Sequence, residues 1–527
     1  MNERMRLDIR LIVWLGVLLL SASCIEEPKA ELRSVRIDCD TLTVPVLGTA
    51  DFFFTVDEPD YEFDLDKDVS LYLSTGQFQP RDFYLSRVEK DTVPGRYRAT
   101  VTDQGLHDDY DEEVCLGVRL PEGHMKLSGV FRCQGEFGDP TGPARKTGLP
   151  VLYLDTQYGA LIVSKENYVK ATVTLHDGEE MTEALSCNVR GRGNTTWYWP
   201  KKPYLLKFDS KTSFFGFPAH KRWILLANFM DRTLMRNLVA MKVSSMTALA
   251  WTPRCRSVEL VLNGKPQGTY VLIEQVRVDK NRVNIGDDGF LFESDFHYDN
   301  EIQWMDPHGR CNQFGDGIPF GIKHPDSDDI TAEQIQAGKD LIARTAEAIY
   351  GPDFKDPEKG YAAYIDVDSF IDYWIVFEVM GNHELGNPGS VYYHCKKGGK
   401  LKAGPCWDFD WGVLSYWANP VIQTGLVDGQ ACWYARLFED PAFKARVRAR
   451  FQELLPQLRS IPAYIDELEQ QLEASAKLNF SMWNPAEDAW TNGGRIINGD
   501  ERISFTEAVA RLRSTYEDRL KVIEENL

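Results

Sequence analysis

Lys402-Ala403-Gly404-Pro405-Cys406-Trp407-Asp408-Phe409-Asp410-Trp411-Gly412 places two carboxylates two residues apart among three large aromatics. In a strand, side chains two apart share a face, so the spacing predicts Asp408 and Asp410 pointing the same way, with Phe409 facing a core. Paired carboxylates on an apolar scaffold suit a divalent cation. The same spacing also suits ordinary turn or cap residues at a strand end, and the segments upstream bear on the choice.

Moving outward, Phe370 to Met380 reads as an apolar helix with Asp368 as its N-cap and Gly381 as its stop. A polar loop, Asn382-His383-Glu384-Leu385-Gly386-Asn387, follows it. Val391–His394 and Lys400–Ala403 read as strands around Gly398-Gly399, the second running into the opening motif. Further upstream, Ser257–Pro266 and Gly268–Glu274 form a hairpin signalled by Asn263-Gly264. Asp231 reads as the N-cap of a helix whose stripe is Leu234, Leu238, Met241 and Ser245, with Arg236 and Asn237 off that stripe. Arg190-Gly191-Arg192-Gly193-Asn194-Thr195-Thr196-Trp197 is a glycine-rich basic turn able to aim N–H groups and a guanidinium at an anion. Lys201 to Phe208 alternates, and Lys207 shares a face with Leu205. The long insert between hairpin and helix holds strands at Phe290–Asp295 and Pro319–Lys323 and a helix at Thr331–Tyr350. Beyond Asn419 the chain reads as helical, at Trp433–Phe438, Pro441–Leu455, Pro462–Ala476 and Ile503–Glu525. Asp440 caps Pro441, and Pro456 marks that helix's far end.

The chain has 527 residues, 43% hydrophobic and 26% charged, with a net charge of −20. That length predicts more than one domain. The acidic balance argues against broad nucleic-acid binding, which needs a basic surface, but allows a local basic groove. Residues 1–23 read as a lipoprotein signal peptide. Arg4, Arg6 and Arg10 precede the apolar run Leu11–Leu20, which is too short to span a bilayer. Leu20-Ser21-Ala22-Ser23-Cys24 has the form of a lipobox, with Cys24 as the lipidated residue and 24–30 as a tether. The reading implies attachment to a membrane through that lipid, in the cell envelope. Of 10 cysteines, none form a C-x-x-C pair, and no structural zinc site is signalled. Residues 31–145 read as an accessory β-sandwich with a Gly/Pro-rich exit at Gly135–Gly148. The acidic run His107–Glu113 lacks the spacing of an EF-hand loop and reads as solvated.

The order of parts is that of a kinase-like fold: anion-friendly turn, strand lysine, helix, hairpin, polar loop, acidic motif. Residues 149–412 resemble the CotH family, the spore-coat protein H type of atypical kinase. The matching pieces are Arg190–Trp197, Lys201–Tyr204, Trp223–Asn228, Arg236-Asn237, Val258–Leu260, Asn263-Gly264, Gly268–Tyr270, Arg282–Asn284 and Gly404–Asp410. The resemblance implies an α+β, two-lobed, protein-kinase-like domain over 149–527, with its core motifs in 149–412 and a helical part at 420–527. With the lipobox, it is similar to the lipoprotein branch of Bacteroidetes-type bacteria. It also implies ATP and Mg²⁺ as cofactors and a protein Ser/Thr substrate. Asp408 then matches the metal-binding carboxylate, and Asp410 shares that role or structures the loop. Asn387 matches a metal-binding amide. Lys207 or Lys202 contacts phosphates, Lys207 having the clearer strand periodicity, and Arg190, Arg192 and Asn194 line the nucleotide side. Glu274 lies near the hinge. Glu384 stands where the family usually has an Asp, with His383 beside it as another potential base. Two rival functions remain: a nucleotide-binding pseudokinase, and a non-catalytic surface module binding glycan or protein through Trp197, Trp199 and Trp411. Exposed aromatics across a shallow groove would favour the module. A deep cleft joining Lys207, Glu384 and Asp408 would favour chemistry.

Overall fold

The computed structural model describes residues 32–527, except 46–47, 75–78, 81, 104–109, 121–122, 136–146, 178–179, 298–299, 312–314, 428–430 and 488–496. The signal peptide, Cys24, the tether, most of the Gly/Pro-rich exit and the first part of the His107–Glu113 run lie outside the described residues. The chain divides into two compact units, Met1–Ala144 and Arg145–Leu527.

The first unit carries two sheets. One orders Val35–Ile37, Thr49–Val56, Arg96–Asp103 and Phe83–Lys90. The other orders Thr41–Val44, Phe131–Gly135, Asp111–Arg119 and Val69–Leu73, with Met125–Leu127 beside Asp111–Arg119. Alternate residues such as Phe52, Phe54, Val114 and Leu116 from both sheets meet in one apolar cluster.

In the second unit an eight-stranded sheet orders Val151–Thr156, Cys255–Leu262, Lys265–Glu274, His220–Leu226, Tyr204–Thr212, Leu185–Gly191, Val169–Asp177 and Glu180–Met181. Val151–Thr156 pairs parallel to Cys255–Leu262 and antiparallel to Val169–Asp177, so all but the short Glu180–Met181 strand close into a barrel. The period of two fills its interior with Val173, Leu175, Cys187, Val189, Leu206, Phe208, Trp223, Leu225, Val258, Leu260, Tyr270 and Leu272. Their neighbours Arg190, Lys207 and Arg222 therefore point outward. The expected hairpin is present, and its turn residues Asn263 and Gly264 both have positive φ, 51° and 72°.

The rest of the unit combines helices with a five-stranded sheet ordered Gln303–Cys311, Gly315–His324, Phe290–Ser294, Val391–Cys395 and Lys402–Ala403. The Gln303–Cys311 strand is not visible in the sequence, because Asp306, Pro307, His308 and Gly309 interrupt its apolar alternation. The outward barrel residues Leu205, Ile224, Val271 and Ile273 share one core with this helical half.

Several boundaries differ from expectation. The apolar helix is Val367–Met380, capped by Asp366, whose side chain accepts from Ser369 N. Asp368 faces Arg446 instead. Gly381 ends the helix at φ 61°. The expected Asp231 cap is displaced: the helix runs Arg236–Ser245, and Asp231 accepts from Arg236 N at 2.9 Å from outside it. Asp440 and Pro441 open a helix as expected, but it runs to Leu458 with Pro456 in its last turn. The helices expected at Pro462–Ala476 and Ile503–Glu525 run Ile461–Met482 and Phe505–Asn526.

The Phe505–Asn526 helix is fixed by a fully buried pair, Arg519 with Glu378. The guanidinium also donates to Glu378 O at 3.0 Å and Ile422 O at 2.9 Å. Removing one member strands a buried charge, which costs about 3–5 kcal/mol. Arg519→Leu should lower unfolding free energy by that order in urea titration, while exposed Arg513→Leu should change it by under about 0.5 kcal/mol.

Candidate active site

Between the barrel's outer face and the helical half lies a cleft of about 1330 Å³. Arg190, Arg192, Asn194 and Lys207 line it from the barrel side, and Glu384, Asn387, Asp408 and Asp410 from the other. Lys202 is not among the lining residues. Its ammonium donates to Trp197 O at 2.7 Å and sits over that indole.

The opening motif is not the expected strand. The strand ends at Ala403, and 404–410 is irregular backbone. Asp408 sits at φ 63°, left-handed backbone uncommon for a residue with a Cβ. Asp408 and Asp410 nevertheless remain in side-chain contact. Phe409 is buried against Phe377 as expected, with ring centroids 4.7 Å apart.

The loop is held by residues that sequence reasoning does not assign to the site. Phe409 N donates to Asn237 Oδ1 at 2.9 Å. Asn498 accepts from Gly412 N at 2.8 Å and donates to Asp410 O at 3.1 Å. Arg236 donates to Val413 O at 2.9 Å and pairs with buried Asp231 and Asp500. Arg236-Asn237 stands out as a motif, but nothing local in the sequence marks Asn498.

Glu384 lies in a short 3-10 turn, His383–Leu385, where Asn382 Oδ1 accepts its N–H at 2.9 Å. Its carboxyl lies so near Gly389 that a Cβ there would stand 3.0 Å from Glu384 Oε1. Burial, then the charge of Asp408, pushes the Glu384 carboxyl well above the usual range. Asp410 is pushed up to about 8, first by burial and then by Asp408. Asp408 is likewise raised by burial, against the pull of Arg192. The His383 ring is partly buried, which lowers its basicity, and its Nδ1 has no partner among the described residues.

Two further carboxylates enter the cleft from the end of the Phe290–Ser294 strand. Asp295 accepts from Ser390 N at 3.1 Å and lies 2.8 Å from His297 Nδ1. Glu293 accepts from Tyr392 OH at 2.6 Å and pairs with Lys323 at 3.1 Å. Strand alternation gives no hint that this end meets the Asp408 loop.

The cations separate into two groups. Arg192 lies over the Trp407 ring and acts electrostatically on Asp408 and Asp410. Arg190 and Lys207 lie over Tyr168, at 5.1 and 5.7 Å, and Arg222 donates to the Tyr168 hydroxyl at 2.8 Å. Glu274 is buried against Arg254 and Arg282. Of the aromatics, Trp199 is buried and stacks on Trp411 at 6.2 Å.

A family model described as CotH kinase protein matches residues 189–523. The chain belongs to the CotH family. The CotH domain thus includes the Arg190 turn, the Asp408 loop, Asn498 and all but the end of the last helix. No curated protein matches the chain. Among solved structures, domains 4–9 of the surface-layer protein SbsC match at 10% identity over 48% of this chain, with a TM-score of 0.15, and the match spans 28% of that chain's length. Fibronectin(III)-like modules of Clostridium thermocellum CbhA match at 13% identity over 33% of this chain and 86% of theirs, with a TM-score of 0.13. TM-scores this low carry no argument about the fold.

Among the described residues, no group of three or more His, Cys, Asp or Glu side chains is placed to hold a metal ion. The donor chemistry of the CotH cleft fits a hard divalent cation all the same. Asp408, Asp410 and Asn387 offer oxygens, and both carboxyls have a raised proton affinity, as buried acids short of positive charge do.

A raised carboxyl contributes stability that is present below its unfolded value and lost as pH rises through its folded one. For Asp410 that window runs from its ordinary 3.8 to about 8. In chelator-treated protein, Asp410→Asn should therefore have the higher Tm, and its advantage over wild type should widen as pH rises across the window. Calorimetric scans at stepped pH measure it, and a constant difference would count against a raised Asp410 carboxyl.

Proposed function

We propose that this chain catalyses Mg²⁺-dependent phosphoryl transfer from ATP to protein Ser/Thr hydroxyls, as a lipoprotein of the cell envelope anchored by Cys24. The barrel and the helical half serve as the two lobes of a kinase-like domain. The observation that carries the proposal is the opposition of charge across one cleft. Guanidinium and ammonium groups line one wall, and crowded carboxylates line the other.

Each residue does a definable task in this reading. Arg192 and Asn194 hold donor phosphates next to the acids. Asp408, with Asp410 and Asn387, holds Mg²⁺, which when bound neutralises charge on the transferring group. Glu384 takes the acceptor hydroxyl's proton. Burial and the charge of Asp408 both favour the protonated form of Glu384. A ligand that neutralises Asp408 lowers Glu384 towards the range in which it acts as a base. Asn382 Nδ2, which donates to Glu384 Oε2 at 3.4 Å, and the close approach of Gly389 bound where that carboxyl sits.

The aromatic-binding alternative draws less support. Trp199 and Trp411 stack on each other in a cluster with Phe229, Met230 and Ile497 rather than across a groove. Membrane attachment rests on the sequence of residues 1–30. No described helix is long and apolar enough to cross a membrane.

Titration calorimetry should show heat for MgATP that Asp408→Asn removes. Absence of heat from wild type at millimolar MgATP would sink the proposal. Glu384→Gln should keep nucleotide binding and lower transfer to a protein acceptor by about 10²–10⁴-fold, the usual worth of a general base.

A further inference from the structure

We propose that Cys311 and Cys432 form a disulfide when the chain matures in an oxidising compartment. Their sulfurs lie 3.7 Å apart. Cys311 ends the Gln303–Cys311 strand, and Cys432 opens the Cys432–Leu437 helix. Closing the bond brings the sulfurs to about 2.05 Å.

Independent features orient the pair. The Cys311 thiol also lies 3.3 Å from Gly317 O, which holds it at the strand end. Tyr350 OH donates to Cys432 O at 3.2 Å, anchoring the second cysteine's backbone. Cys432 adopts φ 40°, left-handed backbone that favours glycine. A thiolate is the attacking species in disulfide exchange.

The bond forms by exchange with a disulfide-bearing oxidant, a protein disulfide or oxidised glutathione. The thiolate of one cysteine attacks the oxidant and releases one thiol. The second cysteine then attacks the mixed disulfide and releases the other, so two protein thiols are oxidised and one external disulfide becomes two thiols. Both sulfurs are buried in the folded domain, so the exchange takes place before the Cys432–Leu437 helix closes over the strand. The cross-link joins segments 121 residues apart. It ties the sheet to the helix whose Trp433 and Tyr434 pack on Phe370, at the root of the helix leading to Glu384.

The inference rests on the envelope location only for where the bond forms in the cell, and the test separates the two. The full chain is unfolded, refolded with oxidised glutathione, alkylated, and digested without reductant for mass spectrometry. The same mapping is made on protein exported into a bacterial periplasm. A Cys311–Cys432 linked peptide is expected in both. The linked peptide after refolding but not in the exported protein would show that the pair can close and would overturn its closure during maturation in an oxidising compartment. Both cysteines alkylated after refolding overturns the proposal. As a second measure, reductant should lower the Tm of the oxidised wild type and leave that of Cys432→Ala unchanged. The map on wild type decides even if the variant does not fold.

Discussion

The guanidinium of Arg236 is the point on which the site's geometry depends. It is buried with two carboxylates, Asp231 and Asp500, and donates to Val413 O. A buried charge of this kind is tolerated only with its partners in place. The same centre is therefore an obligation: residues near 231, 413 and 500 must arrive together or leave an uncompensated ion. Asn237 and Asn498 flank it and take the backbone groups of Phe409, Asp410 and Gly412. The left-handed Asp408 is thus over-determined by its surroundings, as a strained position must be.

Electrostatics inside the cleft oppose that order. Asp408, Asp410 and Glu384 crowd negative charge into a partly buried space, and the charge of Asp408 raises the proton affinity of the other two. Arg192 relieves part of it. A cation taken up by carboxyls of this kind would have to displace their protons. Ligand affinity in such a place depends on pH, with binding favoured as the carboxyls empty.

Much of the barrel was legible from alternation alone. Leu206 and Phe208 flank Lys207 at a period of two, and Asn263-Gly264 marks a turn, since period and turn chemistry are local properties. The strand expected through Asp408 failed for a reason beyond local pattern. Its pairing partner Val391–Cys395 is matched only as far as Ala403, and the backbone beyond is captured by Asn237 and Asn498. Asp366 displaced Asp368 as a cap because Ser369 N lies within its reach. Glu293, Asp295 and Asn498 went unseen because their roles exist only once distant segments meet. Arg236 illustrates the limit well: off the apolar stripe, it still is one of the most buried side chains.

The Ile461–Met482 helix seats on the barrel through polar groups as well as apolar ones. Asn479 Oδ1 accepts from Lys201 Nζ at 2.8 Å and from Thr269 N at 3.2 Å, and the Ser475 and Thr269 hydroxyls meet at 2.5 Å. Sliding this helix would break several buried bonds at once and leave their donors and acceptors unsatisfied. Swinging the barrel against the helical half would break the same bonds, so resistance to that motion is polar as well as apolar.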